Sequence, residues 1–300
     1  MVLSKKNNNY PKGQMHGKKF VFVGNRSNVL KRMFKCGCDV SKVFVVKNSH
    51  LEKDMIQSGR DHIIIETKED LIDQLMKLQF DVLVSNGCPY IIPISKFYDG
   101  QRIFVNIHPS LLPDLKGKHP INGALLFNRK HGVTCHIMDD GVDAGPIVSQ
   151  IEIPITDDMN LDLLYFISFF LEGEVFEKAL INNFRPLQTI SLGYDPIYYS
   201  RRDEDMIIKR DDSIDEVLKK VRAFSTNGQY AKLRCGGRVY SIIKANIIDN
   251  PCVAKLFEGS LHDEVVAKYG GKYVLTNIHS VFIQFEITDS MDIRVGDFIS

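Results

Sequence analysis

Residues 102–150 read RIFVNIHPSLLPDLKGKHPINGALLFNRKHGVTCHIMDDGVDAGPIVSQ, and the interpretation of the whole chain starts from this stretch. Its first seven residues, RIFVNIH, form a short apolar, β-branched run, which is typical of a buried strand. Side chains alternate along a strand, so Asn106 and His108 should share one face. Pro109 and Pro113 then prevent the strand from continuing. The stretch therefore predicts a strand that ends on an amide and an imidazole.

A second predicted strand in the same stretch leads to a carboxylate. The run HGVTCHIM, residues 131–138, continues directly into the acidic glycine turn DDGVDAGP, which is centred on Asp143. His108 can act as a base near neutral pH, and the amide of Asn106 can donate to a developing oxyanion. A single histidine at a strand end is more often structural, and an Asp-Asp-Gly segment is usually only a turn. The three groups together favour a reaction site.

Strands and helices alternate through the first two thirds of the chain. This alternation predicts an α/β fold over residues 18–192, a Rossmann-like, doubly wound parallel sheet that binds ligands at the carboxyl ends of its strands. Residues 160–183 are so rich in Leu, Phe and Ile that they should form a helix buried over most of its surface. The turn GNRSN, residues 24–28, could offer backbone N–H groups to a phosphate. It lacks the three-glycine dinucleotide fingerprint, so we do not expect NAD to bind.

The rest of the chain divides into three predicted parts. Residues 1–17 are polar and aperiodic, which predicts a flexible arm. Residues 193–212 contain a proline and a cluster of charges, which indicates a linker. Residues 213–300 begin with an amphipathic helix and continue as short strands that turn at Gly236-Gly237 and Gly270-Gly271. They predict a smaller, β-rich, barrel-like C-terminal domain.

Composition and charge limit the function classes. The chain has 38 Lys and Arg against 37 Asp and Glu, a net charge of +1, so a nucleic-acid partner is not expected. We expect neither a membrane span nor a signal segment, and therefore a cytoplasmic protein. The six cysteines are scattered, which predicts free thiols and no metal site. Arg201 and Arg202 are interpreted as solvated charges of the linker.

Residues 102–150 resemble the folate-dependent formyltransferases. Their signature is an Asn-x-His at a strand end, then SLLP, a loop with basic residues and a glycine, and an Asp in a VDAG-like turn. The matching elements here are Asn106, His108, Ser110 to Pro113, Lys116 to Lys118, and Val142 to Gly145. The match runs from residue 102 to residue 150 without a gap, so the resemblance is specific. The helix and strands after the linker resemble the C-terminal domain of this family more loosely.

The resemblance implies roles for individual residues. Asn106 would stabilise the oxyanion, His108 would act as the base, and Asp143 would orient His108 or hold a water that relays a proton. The formyl donor would be 10-formyltetrahydrofolate, in a cleft lined by two loops. The positions that match this cleft are Tyr90, Ile91, Ile92, Lys118, Asp139, Asp140, Gly141 and Val142. Core packing explains Ile91 and Ile92 equally well, and Lys118 fits an ordinary loop charge. His136 is expected to be a packed residue, or one that contacts a catalytic residue, and not a catalyst.

The resemblance leaves more than one substrate open. Glycinamide ribonucleotide enzymes lack a following β-domain, and here Arg26 stands where their phosphate turn has glycine. Methionyl-tRNA formyltransferases share both domains but usually have a longer core and a positive surface. The sugar N-formyltransferases fit best, which predicts transfer to a dTDP- or UDP-linked 4-amino-4,6-dideoxy sugar in glycan biosynthesis. A methionyl-tRNA formyltransferase, or less readily a formyltetrahydrofolate hydrolase, is the alternative. The resemblance is also compatible with a homodimer.

Overall fold

The computed structural model of the protein describes residues 15–188, 193–226, 228–288 and 292–300. The predicted flexible arm lies almost wholly outside these residues. The described chain separates into two compact units. The first contains residues up to Gly117, Gly132–Pro154 and Ile167–Tyr198, and the second contains Lys118–His131, Ile155–Phe166 and Tyr199–Ser300. The two units therefore interleave along the sequence. The predicted limits of consecutive domains and of the linker stay a prediction.

The first unit is built on a seven-stranded sheet with the order β3-β2-β1-β4-β5-β6-β7. Its strands are β1 (Lys19–Gly24), β2 (Asp39–Val46), β3 (Ile63–Ile65), β4 (Val82–Asn86), β5 (Ile103–His108), β6 (His131–Ile137) and β7 (Ile147–Ile153). The first five strands pair in parallel, whereas β6 pairs antiparallel with β5. The predicted α/β fold is thus confirmed, and the expectation of a purely parallel sheet is corrected to a mixed one. Strand order reverses between β1 and β4, where such folds bind ligands.

Burial on both faces explains why the central strands are continuous apolar runs. In β1, Phe20, Val21, Phe22 and Val23 are each at most 1% exposed. Strands covered by helices on both sides read this way because no face is left for polar side chains. The strand residues Val21, Val23, Phe44 and Leu83 belong to one buried apolar cluster.

Five α-helices occur between residues 28 and 181, and the fourth of them lies in the second unit. They are α1 (Asn28–Lys35), α2 (His50–Gln57), α3 (Lys68–Met76), α4 (Pro120–Leu126) and α5 (Leu161–Ile181). The hydroxyls of Ser49 and Thr67 accept hydrogen bonds from the third helical N–H of α2 and of α3, which satisfies donors that a helix start leaves unpaired. Among the described residues, no helix has both the length and the apolar character that a bilayer crossing requires.

Helix α5 buries polar side chains and exposes two aromatic rings. Ser168 and Glu172 have no solvent exposure, whereas Phe166 is 68% and Phe170 is 58% exposed. Six of its 21 residues are exposed and the other fifteen are buried or half-buried, so the expected burial over most of its surface is confirmed, although polar side chains take part in it. Polar groups lie on its inner face because they have specific partners there, and two aromatic rings lie outside.

The second unit contains a six-stranded sheet with the order β11-β12-β13-β10-β9-β8. Its strands are β8 (Ile207–Ile208), β9 (Ala231–Cys235), β10 (Arg238–Ile247), β11 (Glu264–Tyr269), β12 (Tyr273–Ile278) and β13 (Val281–Ile287), with helices α6 (Ile214–Ala223) and α7 (Pro251–Leu256). All pairs are antiparallel except β8 with β9. The glycine pairs 236–237 and 270–271 have positive φ and make the two predicted hairpin turns.

The final residues join two strands that are far apart in the strand order. Phe298 forms a backbone bridge with Glu264 at the start of β11, and Ile299 forms one with Cys235 at the end of β9. This bridging agrees with the barrel-like character expected of the C-terminal strands.

Candidate active site

The end of β5 carries the amide and the imidazole that the sequence singled out. In the antiparallel pairing of β5 with β6, Asn106 lies opposite His136 and His108 lies opposite Thr134. Directly opposed residues point to the same face of a sheet, so these four side chains form one polar patch. His108 is 6% exposed and His136 is 2% exposed. The patch is therefore buried, which is unusual for polar groups unless they are paired.

The loop between β6 and β7 brings Asp143 to this patch. The N–H of Ile137 donates to the carbonyl of Pro146 at 2.8 Å, which closes the base of the loop. Gly145 passes so near that a Cβ there would lie 2.0 Å from the carbonyl oxygen of Ile137. Asp143 itself has φ +47°, a left-handed conformation that few non-glycine residues adopt. Such a conformation persists only where the surroundings hold it, and here the N–H of Gly117 donates to Asp143 Oδ2 at 3.0 Å.

The structure brings the three predicted catalytic residues together. Asp143 Oδ2 lies 3.5 Å from His108 Nδ1, and Asn106 Nδ2 donates to Asp143 Oδ1 at 3.4 Å. Both distances are long for hydrogen bonds. Their placement agrees with the site drawn from the sequence, while their catalytic roles stay a prediction.

His108 is held between two acceptors. Its Nε2 lies 3.0 Å from the carbonyl oxygen of Leu115, and its Nδ1 faces Asp143. A neutral imidazole has one N–H and satisfies one of them, whereas an imidazolium satisfies both. Burial nevertheless lowers the pKa of His108, and this outweighs the carboxylate of Asp143 and the Leu115 carbonyl, which raise it. His108 is therefore neutral at pH 7, and a protonated form would find two acceptors in place.

Asp143 remains charged in this setting. Burial alone would raise its pKa, but the rings of His136 and His108 and the N–H of Gly117 lower the pKa of Asp143 to about 2. The site therefore contains a permanent negative charge beside the candidate base across the neutral pH range.

His136 contacts two of the three predicted catalytic residues, in agreement with one of the two roles expected of it. Its Nε2 lies 3.3 Å from Asn106 Nδ2 and 3.6 Å from Asp143 Oδ1, and its Nδ1 lies 2.8 Å from the carbonyl oxygen of Ile137. The ring is packed, as expected, and it contacts both neighbours that matter. The carbonyl contact fixes the ring orientation, as in many functional histidines. Strand alternation along β6 predicts which face His136 shares with its neighbours. It does not predict the register with β5, which places His136 opposite Asn106.

The first predicted folate loop follows β4. The hydroxyl of Tyr90 donates to the carbonyl of Glu66 at 2.6 Å, which fixes the ring beside the apolar cluster. Ile91 is 55% exposed and Ile92 is 2% exposed within that cluster. Of the two isoleucines, Ile91 is exposed and Ile92 packs in the core.

The second predicted folate loop lies beside the first. Asp140 Oδ1 accepts a hydrogen bond from the N–H of Ser95 at 3.1 Å, which ties the loop after β6 to the segment after β4. This contact with Ser95 lowers the pKa of the Asp140 carboxyl. Asp139 Oδ1 accepts from the N–H of Gly141 at 3.0 Å, and Val142 is 39% exposed. The two loops are therefore adjacent, and binding of the folate between them stays a prediction.

Lys118 is exposed and belongs to the second unit, and its backbone N–H donates to Ser200 Oγ at 3.4 Å. Across residues 15–300, apart from the undescribed positions, no group of three or more His, Cys, Asp or Glu side chains could hold a metal ion.

The turn after β1 holds a buried ion pair. Arg26 Nη2 lies 2.7 Å from Glu172 Oε1, and Arg26 Nε lies 3.0 Å from Oε2. The guanidinium also stacks 4.6 Å from the ring centroid of Phe169. The arginine that replaces the expected glycine thus fills this turn and is neutralised by its own chain. A phosphate would have to compete with that carboxylate.

Comparison with known proteins identifies the family. The formyl transferase family model matches residues 23–180, more than half of the chain. The methionyl-tRNA formyltransferase of Ehrlichia canis (strain Jake) is 30% identical over 192 residues, which cover 64% of this chain and 62% of that protein. The match therefore spans less than two thirds of that relative's length.

Two solved structures share the fold. WlaRD, a sugar 3N-formyl transferase in the presence of dTDP and 5-N-formyl-THF, has a TM-score of 0.68 at 23% identity and covers 92% of this chain and 99% of its own. The N-formyltransferase from Helicobacter canadensis, in complex with folinic acid and dTDP-3-aminofucose, has a TM-score of 0.65 at 22% identity and covers 90% and 99%. Because the family model accounts for more than half of its residues, the chain belongs to the formyl transferase family.

Proposed function

We propose that this protein transfers the formyl group of 10-formyltetrahydrofolate to the amino group of a nucleotide-linked amino sugar. The observation that carries the proposal is the convergence of Asn106, His108 and Asp143 at the end of β5 in a member of this family. The sequence favours a dTDP- or UDP-linked 4-amino-4,6-dideoxy sugar as the acceptor.

Each of the three residues has a chemical task in this reaction. The substrate amine attacks the formyl carbon, and His108 takes the proton that the amine loses. The amide of Asn106 donates to the oxygen that becomes negative. Asp143 stabilises the imidazolium, and the proton then passes to the folate nitrogen as its bond to the formyl carbon breaks. A positioned base contributes about 10²–10⁴ in rate and one oxyanion donor about 10²–10³.

The electrostatics of the site support this assignment. A base must be neutral before it accepts a proton, and burial lowers the pKa of His108. The imidazolium that forms needs partners for both nitrogens, and Asp143 and the Leu115 carbonyl stand beside them. The charge of Asp143 lies near the amide of Asn106, which orients the amide donor.

The fold neighbours support a nucleotide-sugar acceptor. The relative from Helicobacter canadensis binds dTDP-3-aminofucose, and WlaRD was solved with dTDP. WlaRD is named a sugar 3N-formyl transferase, and the ligand of the other relative is a 3-amino sugar, so both 3-amino and 4-amino sugars have to be tested as substrates of this protein.

A methionyl-tRNA substrate is the second candidate. Curated sequence relatives include methionyl-tRNA formyltransferases, and the one from Ehrlichia canis is 30% identical over 192 residues. The charge of the chain opposes it, because 38 basic residues against 37 acidic ones leave little attraction for a phosphate backbone. Hydrolysis of the formyl donor by water is a third outcome that needs the same base.

The test is formyl transfer from 10-formyltetrahydrofolate to dTDP- and UDP-linked 3-amino and 4-amino sugars, read by mass spectrometry. Charged initiator tRNA and water alone form parallel arms. His108→Asn should abolish transfer, while His50→Asn, at an exposed position on α2, should retain it. Formylation of the tRNA alone would replace the sugar with the second candidate. Equal transfer by His108→Asn and the unmodified protein would refute the assigned base.

A further inference from the structure

Two adjacent arginines of the second unit differ in their surroundings. Arg202 has a side chain that is 71% exposed, and it pairs with Glu204 at 3.0 Å and with Asp205 at 3.6 Å. The side chain of Arg201 is partly buried, and its Nη1 is enclosed without a hydrogen-bond partner among the described residues. The interpretation as a solvated charge therefore holds for Arg202 and is wrong for Arg201. A buried guanidinium N–H without an acceptor is costly, so it indicates that an acceptor is missing.

Backbone hydrogen bonds place two more donors beside Arg201. The N–H of Arg201 donates to His119 Nδ1 at 3.1 Å, and the N–H of Lys118 donates to Ser200 Oγ at 3.4 Å. These bonds hold residues 118–119 against residues 200–201. Because Nδ1 of His119 accepts a hydrogen bond, the neutral ring carries its proton on Nε2, which is then a donor. Burial and the charges of Arg201 and Lys118 lower the pKa of His119, in keeping with a neutral ring close to two cations.

The neighbouring acids Glu204 and Asp205 do not pair with Lys118 or Arg201. Asp205 accepts from the hydroxyl of Tyr199 at 3.0 Å and from the N–H of Arg202 at 2.8 Å, and Glu204 pairs with Arg202. In the part of the chain that the structure describes, neither Lys118 nor Arg201 makes an ion pair. Among the described residues, two positive charges and an imidazole N–H thus lie close to one another, and neither charge has an ion-pair partner.

We propose that Lys118, His119 and Arg201 form a binding site for the diphosphate of the nucleotide-linked substrate. The choice of ligand rests on the proposed function. A diphosphate between a nucleoside and a sugar carries one negative charge on each phosphoryl group, which balances the two cations. The planar fork of an arginine suits phosphate oxygens, and a lysine supplies a second, mobile charge. The carboxylates of the folate donor share this chemistry, so they are the alternative source of the oxyanion.

Direct binding tests the site without catalysis. Isothermal titration of dTDP, UDP and GDP into the full chain, with no folate and no amine present, measures the nucleotide alone. Arg201→Gln should weaken binding of the preferred nucleotide about 10- to 100-fold, the effect of losing charge-assisted hydrogen bonds to an ionised group. Lys118→Gln should weaken it by a smaller factor and make the affinity less dependent on salt. The matched control, Arg202→Gln, removes a neighbouring charge that is already paired and should leave the affinity unchanged.

The outcomes separate the site from the reaction. Unchanged nucleotide binding by Arg201→Gln, an equal loss in Arg202→Gln, or no nucleotide binding by the unmodified protein would overturn the site. The proposed site would also be overturned if Arg201→Gln or Lys118→Gln no longer bound 5-formyltetrahydrofolate but still bound the nucleotide. If Arg201→Gln does not give the circular dichroism spectrum of the folded protein, Lys118→Gln decides, because that side chain is exposed. Nucleotide binding that requires Arg201, in a protein that formylates no sugar, would sustain the site and refute the proposed function.

Discussion

Replacing Arg26 by Met tests the ion pair that closes the turn after β1. The side chain of Glu172 is fully buried, and that of Arg26 is 18% exposed. Removing one partner of a buried pair costs about 3–5 kcal/mol, because the remaining charge is left without compensation. Since the Arg26 side chain retains some access to water, we expect a loss in the free energy of unfolding near the lower bound, about 3 kcal/mol. Urea unfolding followed by circular dichroism measures it.

The loss should depend on pH in a defined direction. Burial already raises the pKa of Glu172 against the opposing effect of Arg26, and removal of Arg26 raises it further. A carboxyl whose pKa is higher in the folded state than in the unfolded state binds protons more readily when folded. The folded variant therefore recovers stability as pH falls. We expect the difference between Arg26→Met and the unmodified protein to be larger at pH 7 than at pH 5.

Two further variants complete the experiment. The double variant Arg26→Met with Glu172→Met replaces the pair by apolar groups of similar size and should regain most of the loss. Arg60→Met, at an exposed position where the guanidinium stacks over Phe34, should change stability by less than about 1 kcal/mol. A penalty that is the same at pH 5 and pH 7, or a double variant no more stable than Arg26→Met, would refute a charge buried at position 172.

Three other changes have expected outcomes. Asn106→Ala should lower kcat for formyl transfer about 10²–10³-fold, and an unchanged kcat would remove Asn106 from the reaction. Asp143→Asn removes a charge that raises the pKa of His108, so the acid limb of the kcat/KM profile should move to lower pH, and a move to higher pH would contradict the pairing. Ser213→Ala removes the capping box of α6 and should cost about 1 kcal/mol in urea unfolding, whereas no loss would show that Glu216 alone suffices.

The chemistry of the site could be read from the sequence because it is local. The apolar run at residues 102–108 became β5, and its alternation placed Asn106 and His108 on one face. The direction of β6 could not be read in this way. Helices alternate with strands before β5, which favours parallel pairing, but the short helix α4 leads into a strand that runs the other way. The contacts of His136 with Asn106 and Asp143 could not be predicted individually, because they depend on that pairing.

Burial was harder to predict than secondary structure. Composition marks α5 as a core helix, yet it does not tell which face carries Glu172 and which carries Phe166 and Phe170. Arg26, 146 positions earlier in the chain, compensates the buried charge of Glu172. A pair so distant leaves no local signal. For the same reason, Ile91 and Ile92 look alike in the sequence, although one is exposed and the other is in the core.

The contacts at the base of the loop that carries Asp143 fix the length that this loop must have. Its base is fastened by the hydrogen bond from Ile137 to Pro146, and the chain at Gly145 touches the carbonyl of Ile137 with no space for a methyl group. Most surface loops tolerate inserted or deleted residues. Here one residue more or less between positions 138 and 145 would move the carboxylate by several ångströms, and a displacement of about 1 Å can already cost 100-fold in rate. Selection should therefore preserve the length of this segment even where its exposed side chains vary freely.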